Sequence, residues 1–282
     1  SSKQIIELML KENPSFNFTY CFEDAASKSD NEICKYLMDR KVQICYEELS
    51  ENLNKFSTFD VELFSTIINK IGPEGKMNSI QCLIPAIIKK NKNLVKYLLK
   101  DYNPKPPFDD SLLQAVNTND LEIVEIILNH NSQPSFINHL FYDGTALSKA
   151  VQNNNLQIVK KLLSIPGINP SLYSRNKNDN KKLKTPLMIA IINTNLEITN
   201  EILNFYGEND QNQKWQIYNA LNILLNEIDK NDSNANKLTS KEEIIIKRLI
   251  DIKNFDHNFF YDSDTLLTFV CKKNNYKLVQ CL

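Results

Sequence analysis

The side chains able to do chemistry are few in this 282-residue chain, and they are scattered. Its three histidines, His130, His139 and His257, share no spacing that would place two imidazoles on one metal. Six cysteines, at positions 21, 34, 45, 82, 271 and 281, form no Cys-x-x-Cys pair, and no Cys/His cluster has the intervals of a zinc site. Carboxylates do recur three or four residues apart, as in Glu122 and Glu125 or Glu197 and Glu201. That interval suits a solvated helix face better than a general acid and base. Glycine-rich phosphate loops and a Gly-x-Ser-x-Gly elbow are absent. The expectation is no catalytic residue, no metal, no cofactor and a chain that works by contact.

Two features suit contact. The stretch 175–184 carries five positive charges and one negative, a local basic finger with Arg175, Lys181, Lys182 and Lys184 able to grip an acidic partner or a phosphate. A solvated insertion is the plainer reading of the same residues. Aromatic side chains gather in the segments between apolar runs: Phe16, Phe18 and Tyr20; Phe136, Phe141 and Tyr142; Tyr173; Phe259, Phe260 and Tyr261. Aromatics bury much area for little lost freedom, which makes them common interface anchors. Phe141 and Phe259 stand where the chain re-enters the core, and Tyr142, Tyr173 and Tyr261 are the expected exposed anchors.

What positions these residues is a repeated unit. Four stretches, 111–128, 145–163, 185–203 and 265–282, carry nearly one line of text, and such self-similarity marks a stacked array sharing a continuous core. Ala115, Ala150 and Ala190 mark equivalent points, with fainter copies at Ala86 and Ala26 and a further one at Val270. Within a unit, Leu147, Ala150 and Val151 and then Leu156, Ile158, Val159, Leu162 and Leu163 form two apolar stripes of helical spacing. Each unit is therefore two short antiparallel helices, turned at Asn153–Asn155. Asn or Asp recurs at this corner, at 91, 119, 120, 195, 274 and 275. Such residues tolerate the left-handed backbone and also cap the second helix. One eroded unit is expected between Ala190 and Val270, with helices at about 214–228 and 241–252, separated by a polar insertion, 226–240, too poor in apolar residues to order itself.

Thr185-Pro-Leu-Met-Ile-Ala-Ile-Ile, followed by Asn195-Leu-Glu-Ile, resembles the ankyrin signature, in which Thr-Pro-Leu-His opens the first helix and Gly-His-Leu-Glu-Ile-Val opens the second. Gly144-Thr-Ala-Leu is a weaker version. The Asn-, Ile- and Lys-rich composition is similar to that of divergent ankyrin proteins of protists. Met188 and Ser148 stand where the family has the His that ties neighbouring loops together. The resemblance implies an all-α solenoid of about eight stacked helix-turn-helix units with short inter-repeat loops, in one array over 1–282: a partial unit at 1–14, degenerate units at 15–79, well-formed ones at 80–206, the eroded unit at 207–255 and a truncated one at 256–282. It also implies a non-catalytic adaptor that binds protein partners through its concave face and loop tips. The contact positions of the family fall on Asn117, Thr118, Gln152, Asn153, Ile192, Asn193, Lys272 and Lys273, with an ordinary solvated surface as the plain alternative. Two other functions stay open: a sensor of a phosphorylated small molecule or nucleic-acid end at 175–184, and a structural array that self-associates.

Composition fits a cytoplasmic protein. A net charge of −1 gives no field that would draw nucleic acid or an anionic membrane, so neither is expected as a partner. No apolar run approaches the ~20 residues needed to span a bilayer, and the opening segment is broken by Glu7, Lys11 and Glu12, unlike a signal peptide. Cys34, Cys271 and Cys281 fall on apolar stripes and are expected to be buried free thiols. Ile5, Ile6, Leu8, Met9 and Leu10 read as a second helix lacking its first, and Leu282 stops inside another. The expectation is a fragment of a longer protein, or terminal repeats that self-associate.

Overall fold

In the computed structural model the paired apolar stripes are helical hairpins; residues 2–100, 110–141, 144–176, 179–206, 211–231, 239–251, 256, 260–261, 264–272 and 276–280 are described. The first compact unit, 1–131, contains α1 (Ser2–Glu12), α2 (Thr19–Ser27), α3 (Asn31–Asp39), α4 (Tyr46–Ser50), α5 (Val61–Ile71), α6 (Pro73–Asn78), α7 (Leu83–Ile88), α8 (Lys92–Leu99), α9 (Ser111–Asn117) and α10 (Leu121–His130). The second, 132–282, contains α11 (Pro134–Ile137), α12 (Ala146–Gln152), α13 (Leu156–Leu163), the ribbon β1 (Ser174–Asn176) and β2 (Asp179–Lys184), α14 (Pro186–Ile192), α15 (Leu196–Tyr206), α16 (Gln211–Asn231), α17 (Ser240–Ile250), a ribbon of β3 (Phe260–Tyr261) and β4 (Asp264–Thr265), α18 (Leu266–Lys272) and α19 (Tyr276–Val279). Successive hairpins stack first helix on first helix and second on second, as α7 on α9 and α8 on α10, or α12 on α14 and α13 on α15. Helices form the body of both units, and the two ribbons are confined to the connections.

The corner between the helices of a hairpin explains the repeated residues. Ala86, Ala150 and Ala190 are fully buried, and each carbonyl accepts the backbone N–H of the residue five positions on, Asn91 at 2.9 Å, Asn155 at 3.1 Å and Asn195 at 3.0 Å. The residue before each of these has positive φ (Lys90 57°, Asn154 58°, Thr194 51°) and donates to the carbonyl three residues back, the Schellman closure of a helix end. The next side chain then caps the second helix: Asn91 Oδ1 accepts from Leu94 N, Asn155 Oδ1 from Ile158 N and Asn195 Oδ1 from Ile198 N. Each such cap is worth ~1 kcal/mol.

Three sequence expectations change here. The left-handed turn and the cap, assigned to the same Asn or Asp residues, fall on consecutive residues, because the cap at Asn91 or Asn155 is in a non-helical conformation with negative φ; among the described residues only Asn119 and Asn154 place Asn at the positive-φ position of these corners, Ser29, Lys90 and Thr194 hold the others, and 274 and 275 lie outside the described residues. In the first hairpin the equivalent of the other alanines is Ala25, whose carbonyl accepts from the capping Asp30, so the marker moves by one from Ala26. Among the degenerate units, the connection from α5 to α7 is itself helical: Gly72, at φ 87°, ends α5, and Pro73 begins α6.

The eroded unit also differs. α16 runs on to Asn231, through the first residues of the expected insertion, and α17 opens with a reciprocal cap in which Glu242 N donates to Thr239 Oγ1 and Thr239 N to Glu242 Oε2; 232–238 lie outside the described residues. Ile217, Ala220, Leu221, Leu224, Leu225 and Ile228 are buried on α16, a stripe that crosses Asn226 and makes continued helix better than coil. Cys34 is buried as expected, but Cys271 is exposed. Leu266, Phe269 and Val270 form the buried stripe of α18, and a residue immediately after it is turned about 100° away. Cys281 lies outside the described residues. On α1, Ile6 is buried whereas Ile5 and Leu8 are 60% and 62% exposed. No described helix is long and apolar enough to cross a membrane.

Candidate interaction surface

The C-terminal ends of α12 and α14 lie side by side, and the base of the β1–β2 ribbon stands beside them. Together they enclose a hollow of about 260 Å³ lined by Gln152, Ser174, Lys184, Ile189, Ile192 and Asn193. Four of these, Gln152, Lys184, Ile192 and Asn193, are sequence-predicted contact positions drawn from two repeats and the basic loop. Gln152 and Asn193 are exposed, Lys184 and Ile192 are half-buried, and Ile189 and Ser174 are buried.

The wall of the hollow depends on Gly144. Ser174 pairs with Lys184 across the ribbon, and its hydroxyl donates to the Lys184 carbonyl at 2.9 Å. Behind it, Gly144 has φ 109°, and a Cβ there would lie 2.3 Å from Ser148 Oγ and 2.4 Å from Ser174 Cβ. Only a bare backbone lets Ser174 approach, and Gly144 is held there by reciprocal backbone hydrogen bonds with Phe141 at 3.0 and 3.1 Å. Thr145 then caps α12: its Oγ1 accepts from Ser148 N at 3.1 Å, and Ser148 Oγ donates to the Thr145 carbonyl at 2.8 Å. α14 repeats the device, with Met188 N donating to Thr185 Oγ1 and Thr185 N to Met188 Sδ, both at 3.4 Å. Ser148 and Met188 thus serve their own helix ends.

Loops are tied instead by Asn138, which the sequence reading missed. Its Nδ2 donates to the Gly167 carbonyl at 2.8 Å, and its Oδ1 accepts from Asn169 N at 2.8 Å. The available signal was an Ile-Asn dipeptide in two successive loops, Ile137-Asn138 and Ile168-Asn169, with both isoleucines buried. Further along the same loop, the Tyr206 hydroxyl donates to the Pro170 carbonyl at 3.3 Å, and burial pushes its phenol up to about 12.

The other predicted positions are dispersed. Asn117 is exposed and donates to Gln114 Oε1 at 3.4 Å, whereas the Thr118 hydroxyl is engaged by the Ala115 carbonyl at 2.7 Å. Asn153 is half-buried, and Lys272 is exposed on α18. Tyr173 is half-buried and accepts from Gln216 Nε2 at 3.4 Å, so part of its ring packs within the stack, unlike the exposed anchor expected. Tyr142 and Lys273 lie outside the described residues, as do the side chains of Arg175, Lys181, Lys182 and Tyr261. No group of three or more His, Cys, Asp or Glu able to hold a metal occurs among the described residues.

A second hollow, of about 500 Å³, lies in the first unit and is lined by Asn31, Thr58, Phe59, Asp60, Val61, Lys89, Asn91 and Asn93. Two of its polar side chains serve the fold: Asp60 caps α5 through Leu63 N and pairs with Lys35 at 2.6 Å, while Asn91 Nδ2 donates to the carbonyls of Ser57 and Phe59; Asn31 Oδ1 and Thr58 Oγ1 are buried without a hydrogen-bond partner among the described residues. The hollow beside the basic ribbon gathers four of the predicted contact positions and is the better candidate for partner contact.

Residues 83–174 and 112–214 match the family model described as ankyrin repeats, in three copies. No curated protein sequence matches the chain.

Proposed function

Because the chain is an ankyrin-repeat protein by that match, we propose that it is a non-catalytic adaptor whose partners dock on the ends of the first helices and the neighbouring loops. Ankyrin repeats are generally protein–protein interaction modules, and their fold is typically non-catalytic. The supporting observation is convergence: Gln152, Lys184, Ile192 and Asn193 come from two helices and a loop and line one hollow. We extend the array beyond the matched residues to 15–79, because α2 and α3 close on the same Ala-to-cap hydrogen bond, from Asp30 N to the Ala25 carbonyl, and past residue 214, because α16 packs on α14 and α17 on α15 as in the preceding hairpins. We place the protein in the reducing cytoplasm: Cys34 and Cys82 are buried as thiols facing the carbonyls of Phe22 and Leu53, and burial pushes both up to about 12.

The test is affinity capture from the cell of origin with the wild-type chain and with the double variant Gln152→Ala, Ile192→Asp. Loss of specific partners from the variant supports the surface. Recovery of the same partners by both shows that binding uses another face. Self-association is a second reading, favoured by the exposure of Ile5 and Leu8 on α1; a sedimentation mass independent of concentration removes it.

A further inference from the structure

The hollow beside the ribbon has a chemical character narrower than that of a general contact surface. Ile189 and Ile192 supply aliphatic contact, the carboxamides of Gln152 and Asn193 supply paired donors and acceptors, and Lys184 supplies one ammonium. Among the described residues no acidic side chain lines it, and the segment 175–184 holds five cationic residues against one anionic in the sequence. An anionic occupant is the electrostatic complement.

Size and charge then choose between anionic ligands. At about 260 Å³ the hollow is below the ~300–1,000 Å³ that encloses a whole small molecule. It has room for one or two side chains of a longer ligand that continues outside. A phosphate dianion is usually met by several charged donors, whereas a carboxylate is matched by a single ammonium. Carboxamides on the rim are the side chains best suited to pair with a peptide N–H and C=O together.

We infer that this hollow recognises an extended acidic segment of a partner polypeptide, seating an aliphatic side chain on Ile189 and Ile192 and an adjacent Asp or Glu carboxylate on Lys184. The inference rests on the adaptor reading and specifies its partner. Gln152 and Asn193 hold the intervening backbone. The ribbon sets the distance between the two subsites, since Ser174 Oγ fixes the carbonyl of the residue that carries the ammonium.

The experiment selects a displayed library of random dodecapeptides on the whole chain, then measures enriched peptides by fluorescence anisotropy. Wild type is compared with Lys184→Gln, Lys184→Arg and Ile192→Asn, each checked for an unchanged urea midpoint. Expected is enrichment of Asp or Glu beside Leu, Ile or Val, with affinity falling roughly ten- to hundredfold in Lys184→Gln, as for loss of a charge-assisted hydrogen bond. Lys184→Arg retains binding, and millimolar inorganic phosphate does not displace the peptide. No enrichment, enrichment of neutral or basic peptides, indifference to Lys184→Gln, or displacement by phosphate overturns the inference. Acid-poor peptides that are still lost in Ile192→Asn leave the adaptor surface standing while removing its acidic preference; peptides indifferent to both positions remove the two together.

Discussion

Replacing Gly144 by alanine tests how the wall of the hollow is built. Two costs arise. The backbone sits at φ 109°, a region where an L side chain costs ~1–3 kcal/mol. The new Cβ also meets Ser148 Oγ at 2.3 Å and Ser174 Cβ at 2.4 Å. Ser148 can rotate away by giving up its bond to the Thr145 carbonyl, but a Cβ cannot leave without its backbone, so Ser174 and the ribbon base must shift, at ~1–3 kcal/mol for an overpacked site. The sum is about 2–6 kcal/mol, a large part of the ~5–15 kcal/mol that stabilises a typical domain. In a unit of this size, at ~2–4 °C per kcal/mol, the melting temperature falls by about 4–24 °C. Urea and thermal unfolding of the whole chain measure it, with Ser174→Gly in the same background as the partner variant: it relieves the contact cost and leaves the backbone cost. Gly144→Ala within ~0.5 kcal/mol of wild type, or no coupling between the two substitutions, refutes the reasoning.

Three further outcomes are expected. Thr194 is a β-branched residue at φ 51°, in a position where Asn119 and Asn154 serve elsewhere, so Thr194→Asn raises stability by ~0.5–1 kcal/mol; an unchanged or lower urea midpoint contradicts this. Brief alkylation of the native chain near neutral pH labels exposed Cys271 well before Cys34 and Cys82, which are buried and whose thiols are pushed up to about 12; peptide mass spectrometry reads the order, and early labelling of Cys34 or Cys82 speaks against the packing. Hydrogen bonding from Lys35, then from Leu63 N, holds the Asp60 carboxyl below the usual carboxylate range. A depressed value in the folded chain means stability that is complete above the ordinary carboxylate range and is lost as pH falls through the lower folded value. The urea midpoint should therefore fall as pH is lowered from about 5 to about 2, and less steeply in Asp60→Asn; an identical slope in the variant rejects this part of the account.

Much of the fold was legible because its physics is local and repeated. Ala86, Ala115, Ala150 and Ala190 are all fully buried, and a small residue followed five positions later by a capping Asn or Asp marks each corner without long-range information. What the sequence blurred was the division of labour inside that corner. Lys90 and Thr194 occupy the left-handed position despite their side chains, since the hydrogen bonds of the helix end fix the backbone whichever residue stands there. Asn226 was read as the start of a coil because it is polar, yet the buried stripe of α16 passes it on the other face to Ile228. The candidate site was half legible. Gln152, Ile192 and Asn193 follow from their place after the alanine, and Lys184 from the charge of its loop, but their meeting in one hollow needed the ribbon register that pairs Ser174 with Lys184. The hold of Asn138 on the next loop spans 31 residues and joins side chain to backbone, so neither periodicity nor composition reveals it. Tyr173 looked like an exposed anchor because loop aromatics often are; Gln216 of α16 engages its hydroxyl.

The most direct test of the central claim, that this chain works by contact at the ends of α12 and α14 and the base of the ribbon, is amide hydrogen exchange of the whole protein with and without a captured partner. The account predicts slowed exchange on binding at Gln152, Ser174, Lys184 and the stretch 189–193. Protection confined to the corner hollow around Asn31, Asp60 and Asn91, or to the second-helix faces alone, contradicts it.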